Sequence, residues 1–443
     1  MTSPGESRET FGTRFGLLMT MIGVAVGLGN VWRFPYMAGK FGGAAFVAVY
    51  IGWVAAIGVP ALMAEWALGR STRRGTVGAF ARGGLPGGRI IGWILFGVVV
   101  AATAYYTNVV GWVLVYGLGT AAQTIGISAN PSAILPPDTG FVPRSFFLQL
   151  GATGVVLAGC ALVLVKGLRR GIERASRLLI PLLFGTLLLL VFRTLTLEGT
   201  GPGIAWYFRF DPAGVTPQVV IAALGQAVFS LSLGGTFMVA YGSYLETGTP
   251  LGFTARATAF GDTLAGLLAG LAILPAAMAY GLEVTSGPGL LFATLPQLFA
   301  EIPGGGVLGP LFFLALFGAA WLSAIAAFEV LVAGLTDNTA LTRRRAVWLL
   351  AGIILLAAIP PMINLAIFVP WDLTFGSGMQ TLGALLVAVT IGWCLSRERA
   401  LEALGGGAQH RFLRLWIRWV IPGALVTVGV WWVLQDVLGK FEV

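Results

Sequence analysis

Three carboxylates stand in stretches that are otherwise apolar: Glu65, Asp262 and Glu329. An ionisable group at membrane depth is costly, so where one occurs it marks a pathway, a site or a structural tie. Asp262 is the one suited to an ion. A carboxylate joined by neutral oxygens makes a site for a hard cation, and opened helices expose carbonyls that complete it. Glu65 and Glu329 suit another task, accepting backbone N–H bonds that tie broken helices to the scaffold. Asn30, Tyr106, Ser230, Ser232 and Ser323 add neutral polar groups to the same background. A lone membrane serine usually bonds back to its own helix. This many polar groups beside two helix breaks fit a convergent pocket better. Freed N–H groups and the positive end of a half-helix would favour a bound carboxylate there.

No residues assemble for catalysis. His410 is the single histidine and stands beside Arg411 at a predicted helix entrance, so it reads as interfacial. Cys160 and Cys394 lie inside apolar runs and offer neither a disulfide framework nor metal-ligand spacing. The chain therefore reads as a non-enzyme.

The elements that must position these groups are membrane helices. Apolar residues make up 57% of 443 positions, charged residues 10%, and mean hydropathy is +0.87. A soluble domain of this size needs far more charge to cover its surface. Eleven stretches reach the roughly 20 apolar residues of a span. Their limits are 12–36, 41–69, 89–119, 147–165, 173–194, 217–245, 252–281, 306–335, 344–366, 372–396 and 412–437. Residues 1–443 read as one all-α transmembrane domain with long outer segments around 120–146, 195–216 and 282–305. The polar start, Met1 to Thr10, argues against a cleavable signal peptide.

Charge gives the orientation. With the N-terminus in the cytoplasm, 21 of the 27 lysines and arginines fall on the inner side or its helix ends. The net charge of +9 is thus a topology signal and does not point to nucleic acid. The C-terminus then lies outside, and the chain belongs in the cell inner (plasma) membrane. No motif sets the oligomeric state as monomer or dimer.

The first span is interrupted by Gly23-Val-Ala-Val-Gly27-Leu-Gly29-Asn30, and the sixth by Ser230-Leu-Ser232-Leu-Gly234-Gly235-Thr236. Glycine breaks at matching places in two halves point to a midplane site between inverted repeats. Spans 1–5 (about 12–194) and 6–10 (about 217–396) would be the repeats, with the eleventh outside them.

The run from Gly23 to Tyr36, GVAVGLGNVWRFPY, closely resembles the first-helix signature of the neurotransmitter:sodium symporter family. Glu65-Trp-Ala-Leu-Gly-Arg70 resembles the end of that family's second helix. Gly171-Ile-Glu-Arg-Ala-Ser, with Pro181, resembles its fifth. Gln226 to Gly234 and Tyr241-Gly-Ser-Tyr244 resemble its sixth, and Gly287-Pro-Gly-Leu-Leu-Phe with Leu295-Pro its outer loop before helix 8. The resemblance covers essentially the whole chain, and eleven helices is a pattern of bacterial members.

The resemblance implies a leucine-transporter-type fold and a sodium-coupled symporter that imports an amino acid by alternating access. It implies a first sodium site from the Ala25 carbonyl, Asn30, Ser230 and Asp262, completed by the substrate carboxylate. A carboxylate at 262 resembles chloride-independent bacterial members, so chloride is not expected. The substrate carboxylate would also meet Tyr106 and N–H groups near Ala25 and Gly27. Its amino group would face carbonyls of Phe229 and Ser232, under Phe229 as a lid. Monoamine carriers of the family place an aspartate at the Gly27 position; glycine favours a substrate that brings its own carboxylate. Val24, Ala102, Gly235, Ala324 and Ala327 would line the side-chain end, which suits a bulky apolar or aromatic group unless Phe237 or Trp321 fills it. Arg33 with Asp372 would form the outer gate, and Arg8 with Asp337 the inner one.

Two departures stand out. The second sodium site would use carbonyls of Gly23, Val26 and Ala319 with two hydroxyls of helix 8, but Leu322 stands where a threonine or serine is expected and Ser323 alone remains. Losing one of about five oxygens weakens a hard-cation site. Either a water completes it, it works weakly, or only the first site couples sodium. Gly235 and Thr236 also depart from the Met-Gly of bacterial relatives. The other readings are a proton-coupled or single-sodium amino-acid carrier, and a transporter-like sensor that binds an amino acid without moving it.

Overall fold

The computed structural model describes residues 9–285, 289–406 and 409–434. Arg8, Gly287, Pro288 and the predicted end of the last helix lie outside the described residues, which contain helices and no strands.

Thr13, in extended conformation, accepts the Gly16 N–H at 2.9 Å and so starts α1 (Arg14–Ala25). The helix stops at Val26, and α2 (Gly29–Lys40) resumes at an angle of 59°. There follow α3 (Ala44–Thr72), the short α4 (Thr76–Arg82), α5 (Gly88–Thr124), α6 (Pro143–Leu164), α7 (Leu168–Leu195) and α8 (Gly201–Phe208). The second half begins with α9 (Pro217–Ser230) and α10 (Phe237–Gly242), then α11 (Leu251–Ala279), α12 (Leu290–Glu301) and α13 (Gly305–Asn338). It closes with α14 (Arg343–Ala357), α15 (Leu365–Cys394), α16 (Arg397–Leu404) and α17 (His410–Trp432).

Among the described residues, eight helices (α3, α5, α6, α7, α11, α13, α15 and α17) are long and apolar enough to cross a membrane, and the bent α1–α2 pair makes a ninth. The two remaining predicted spans take other forms. The sixth is split into α9 and α10. The ninth is the 15-residue α14, short of the roughly 20 residues of a straight span. The tenth starts at Leu365, ahead of the expected 372, because Asn364 caps it by accepting the Ile367 N–H at 3.0 Å. Asp372 therefore lies within the helix.

Burial ranks these helices. In α13, 72% of the most apolar window is buried in the protein, against 17% in α17. Thus α13 is a central strut, packed along α5, and α17 runs at the edge. Glu173, fully buried in α7, holds the entrance of α1: it accepts the Gly12 N–H at 2.8 Å and the Thr13 hydroxyl at 3.0 Å. Gly16 lets it approach, since a Cβ there would lie 1.9 Å from its Oε1.

Candidate functional site

The break between α9 and α10 is built from backbone few residues adopt. Ser232, Gly234 and Thr236 all have positive φ, at 52°, 85° and 58°, and for serine and threonine this costs about 1–2 kcal/mol each. Three bonds from neighbouring elements hold the shape. Glu65 Oε1 accepts the Gly234 N–H at 2.7 Å, the Ser232 hydroxyl donates to the Val24 carbonyl at 3.0 Å, and the Thr236 and Thr76 hydroxyls share a bond of 2.7 Å. Glycine is obligatory where α15 crosses: a Cβ on Gly234 would sit 1.7 Å from the Gln380 carbonyl. Glu65 thus performs the tie its sequence position suggested. Glu329 does not. It accepts from the Tyr244 hydroxyl at 2.5 Å and from Arg343 at 2.5 and 3.0 Å, bonding side chains where backbone N–H groups were expected. Arg343 reaches it from α14 and is also bound to the Leu164 carbonyl at 2.7 Å.

At the two breaks the predicted ion ligands converge. Asp262, fully buried in α11, accepts from Asn30 Nδ2 at 2.7 Å, the Ser230 hydroxyl at 2.7 Å and the Tyr50 hydroxyl at 3.3 Å. Asn30 Nδ2 also donates to the Asp262 carbonyl at 2.9 Å and to Ser230 at 3.1 Å. Its Oδ1 accepts the Gly27 N–H at 3.0 Å, across the opened turn of the first span. No lysine or arginine pairs with Asp262 among the described residues. A buried carboxylate held by neutral donors alone draws a small cation.

Beside this cluster lies a cavity of about 80 Å³. Val24, Ala25, Gly27, Ala102, Tyr106, Phe229, Ser230, Ser232, Ser323 and Ala327 line it as expected. The Tyr106 and Ser323 hydroxyls meet at Gly27, where a Cβ would lie 2.9 and 2.7 Å from them. The Phe229 carbonyl accepts the Ser232 N–H at 3.0 Å. Gly235 and Ala324 are corrected: neither lines the cavity. The ring of Phe237 covers Gly235, passing 2.0 Å from where its Cβ would be. Ala324 is fully buried in α13 between Ser323 and Ala327, which do line the cavity. Phe237 lines the cavity as well, whereas Trp321 points to α6 and donates to the Val156 carbonyl at 3.4 Å. Leu28, Gly29, Thr103, Tyr105 and Gln380 complete the wall. Thr103 stands next to Ala102 on α5, and helical spacing could have found it; Gln380 reaches the cavity only through the approach of α15 to the break.

Above Phe229 opens a second cavity of about 430 Å³ lined by both predicted outer-gate residues, Arg33 and Asp372. Arg33 lies over the Phe229 ring at 4.1 Å, a cation–π contact. On the opposite side Asp337 accepts the Gly75 N–H at 2.9 Å, at the entrance of α4; its expected partner Arg8 is outside the described residues. At the second-site positions the Ser323 hydroxyl donates to the Val26 carbonyl at 3.0 Å and reaches the Gly23 carbonyl at 3.5 Å. Ala319 is fully buried, and the Leu322 side chain packs on Gly23, 3.4 Å from where its Cβ would be.

A family model described as the sodium:neurotransmitter symporter family matches residues 8–127 and 148–433. An uncharacterized sodium-dependent transporter of Haemophilus influenzae is 32% identical over 461 residues, covering 97% of this chain and 99% of its own length. The uncharacterized sodium-dependent transporter YhdH of Bacillus subtilis is 30% identical, covering 94% of this chain and 96% of its own. The crystal structure of MhsT in complex with L-phenylalanine matches with a TM-score of 0.84 at 32% identity, over 96% of this chain and 99% of that one.

Proposed function

The chain belongs to the sodium:neurotransmitter symporter family, and from that premise we propose that it imports an amino acid together with sodium by alternating access. It is a multi-pass membrane transporter of a sodium-dependent, non-enzymatic family. The observation that carries the finer reading is Asp262, a buried carboxylate bonded by neutral donors from α2, α3 and α9 beside a cavity of about 80 Å³.

We count the split α9–α10 and the short α14 as spans six and nine. That gives eleven spans in a single transmembrane domain, two inverted repeats of five, a cytoplasmic N-terminus and an outer C-terminus in the plasma (inner) membrane. Sodium binds between the Ala25 carbonyl, Asn30, Ser230 and Asp262, and the substrate carboxylate completes the shell. As the ion arrives, the Asn30 amide turns its oxygen toward it and releases the Gly27 N–H to the substrate carboxylate. One side chain then couples ion and substrate, and the coupling is reciprocal. Asp262 supplies the fixed negative charge, so chloride is not required. Gly27 leaves room for a substrate that brings its own carboxylate, and L-phenylalanine in the MhsT structure supports an apolar or aromatic side chain beside Phe237. Arg33 with Asp372 and Arg8 with Asp337 serve as outer and inner gates.

A single coupled sodium is the second reading, favoured by one observation: Leu322 presents hydrocarbon to Gly23 where the other site needs an oxygen. Uptake of labelled amino acids into proteoliposomes tests the whole proposal. An inward sodium gradient should drive accumulation. Uptake indifferent to sodium but driven by a pH gradient would identify a proton-coupled carrier, and binding without accumulation a sensor.

A further inference from the structure

A third cavity, of about 1280 Å³, lies away from the site, where α3, α11, α15 and α17 end together. Its walls divide by chemistry. Val59 and Met63 of α3, Phe253 of α11 and Leu413 of α17 are apolar, and Phe253 is 58% exposed. At the mouth stand Arg82, Arg256, Arg399 and His410, with Glu402 the one acid among the lining residues. Arg256 and Arg399 are exposed, and neither guanidinium has a hydrogen-bond or ion-pair partner among the described residues. The His410 Nδ1 is buried there with no hydrogen-bond partner among the described residues.

Arg70 sets the shape. It donates to the carbonyls of Thr247 at 3.3 Å, Thr249 at 2.9 Å and Ala403 at 2.8 Å, so the segment before α11 and the helix α16 are fastened to α3 as fixed rims. From Arg70 to Val59 the groove follows α3 for about 16 Å of helix rise, roughly the hydrocarbon depth of one leaflet. A soluble phosphate would use the mouth and leave the apolar wall uncovered. A phospholipid uses both.

We infer that this groove binds an anionic phospholipid, its phosphate between Arg256 and Arg399 and one acyl chain along Val59, Met63 and Phe253. Basic pockets between spans on a membrane surface are suited to such head groups. The site is independent of the solute that the chain carries.

Native mass spectrometry of the full-length protein in detergent, titrated with phosphatidylglycerol, phosphatidylcholine and glycerol 3-phosphate, tests it. Phosphatidylglycerol should be retained in preference to phosphatidylcholine. The double variant Arg256→Ala/Arg399→Ala should bind it about 30-fold more weakly, from the loss of two arginines at a lipid surface. Glu402→Gln, which removes the opposing charge, should bind it more tightly, a gain that misfolding cannot mimic. Arg344→Ala/Arg345→Ala, two exposed arginines outside the groove, should change nothing. Equal retention of the two lipids, wild-type retention by the double variant, or an equal loss in the Arg344/Arg345 control overturns the inference. Complete displacement by glycerol 3-phosphate also overturns it, in favour of a soluble phosphate.

Discussion

In the proposed mechanism, Asp262 and Leu322 are the two residues whose chemistry would set how much sodium is used. Asp262→Asn keeps an oxygen in place and removes the charge. The sodium concentration that half-saturates substrate-induced thermal stabilisation should rise about tenfold; an unchanged value would remove Asp262 from the ion site. Leu322→Thr exchanges hydrocarbon for a hydroxyl beside the Gly23 and Val26 carbonyls. Without sodium it should lower stability by about 2 kcal/mol, the cost of a shortened buried side chain. With sodium that loss should be recovered and transport should depend more steeply on the ion. The same sodium dependence as the wild type would mean that no second site can be restored there. Asp262 and Asn30 were legible because a charge and an amide in apolar runs are conspicuous. The sequence left Phe237 and Trp321 as alternatives at the pocket; the fold of the break, and not the spacing, puts the Phe237 ring over Gly235.

Broken elements and exposed helix starts need outside support, and the α9–α10 break and the start of α1 both have it. Glu65, Thr76 and the Val24 carbonyl hold the positive-φ residues between α9 and α10. Glu173 holds the start of α1 through Gly12 and Thr13. Bonds to a charged acceptor contribute about 1.5–3 kcal/mol each, so Glu173→Ala should let the α1 entrance open more often. Hydrogen exchange at residues 12–16 should accelerate at least tenfold while exchange within α13 stays slow; unchanged exchange at 12–16 would show that Glu173 does not hold that end. The role of Glu65 could be read from its place in an apolar run. That of Glu329 could not, because its partners come from elsewhere in the chain, Tyr244 from the turn after α10 and Arg343 from the start of α14. The start of α15 was missed for a local reason: the cap that sets the boundary is Asn364, which the sequence reading placed inside the preceding span.

For the whole molecule, the distribution of basic residues predicts which surface faces the cytoplasm. Thr342, exposed in the link before α14, would lie on that side in the proposed topology. In a background with Cys160 and Cys394 replaced by alanine, Thr342→Cys should react with a membrane-impermeant maleimide in inside-out vesicles and be protected in right-side-out ones. The reverse pattern would invert the proposed topology and place the cavity beneath Arg33 and Asp372 on the cytoplasmic side.

The sequence by itself determined the membrane class, the two breaks and most of the polar groups beside them. Hydrocarbon solvent imposes long apolar runs and makes every glycine break and buried charge stand out. Tertiary structure alone decided what those groups do to one another. Asn30 joins Asp262 to the Gly27 N–H, Phe237 lines the cavity where Gly235 and Ala324 do not, and Arg70 shapes a basic groove far from the site. Each depends on distances between helices that are remote in the chain, and a periodicity along one helix carries no information about them.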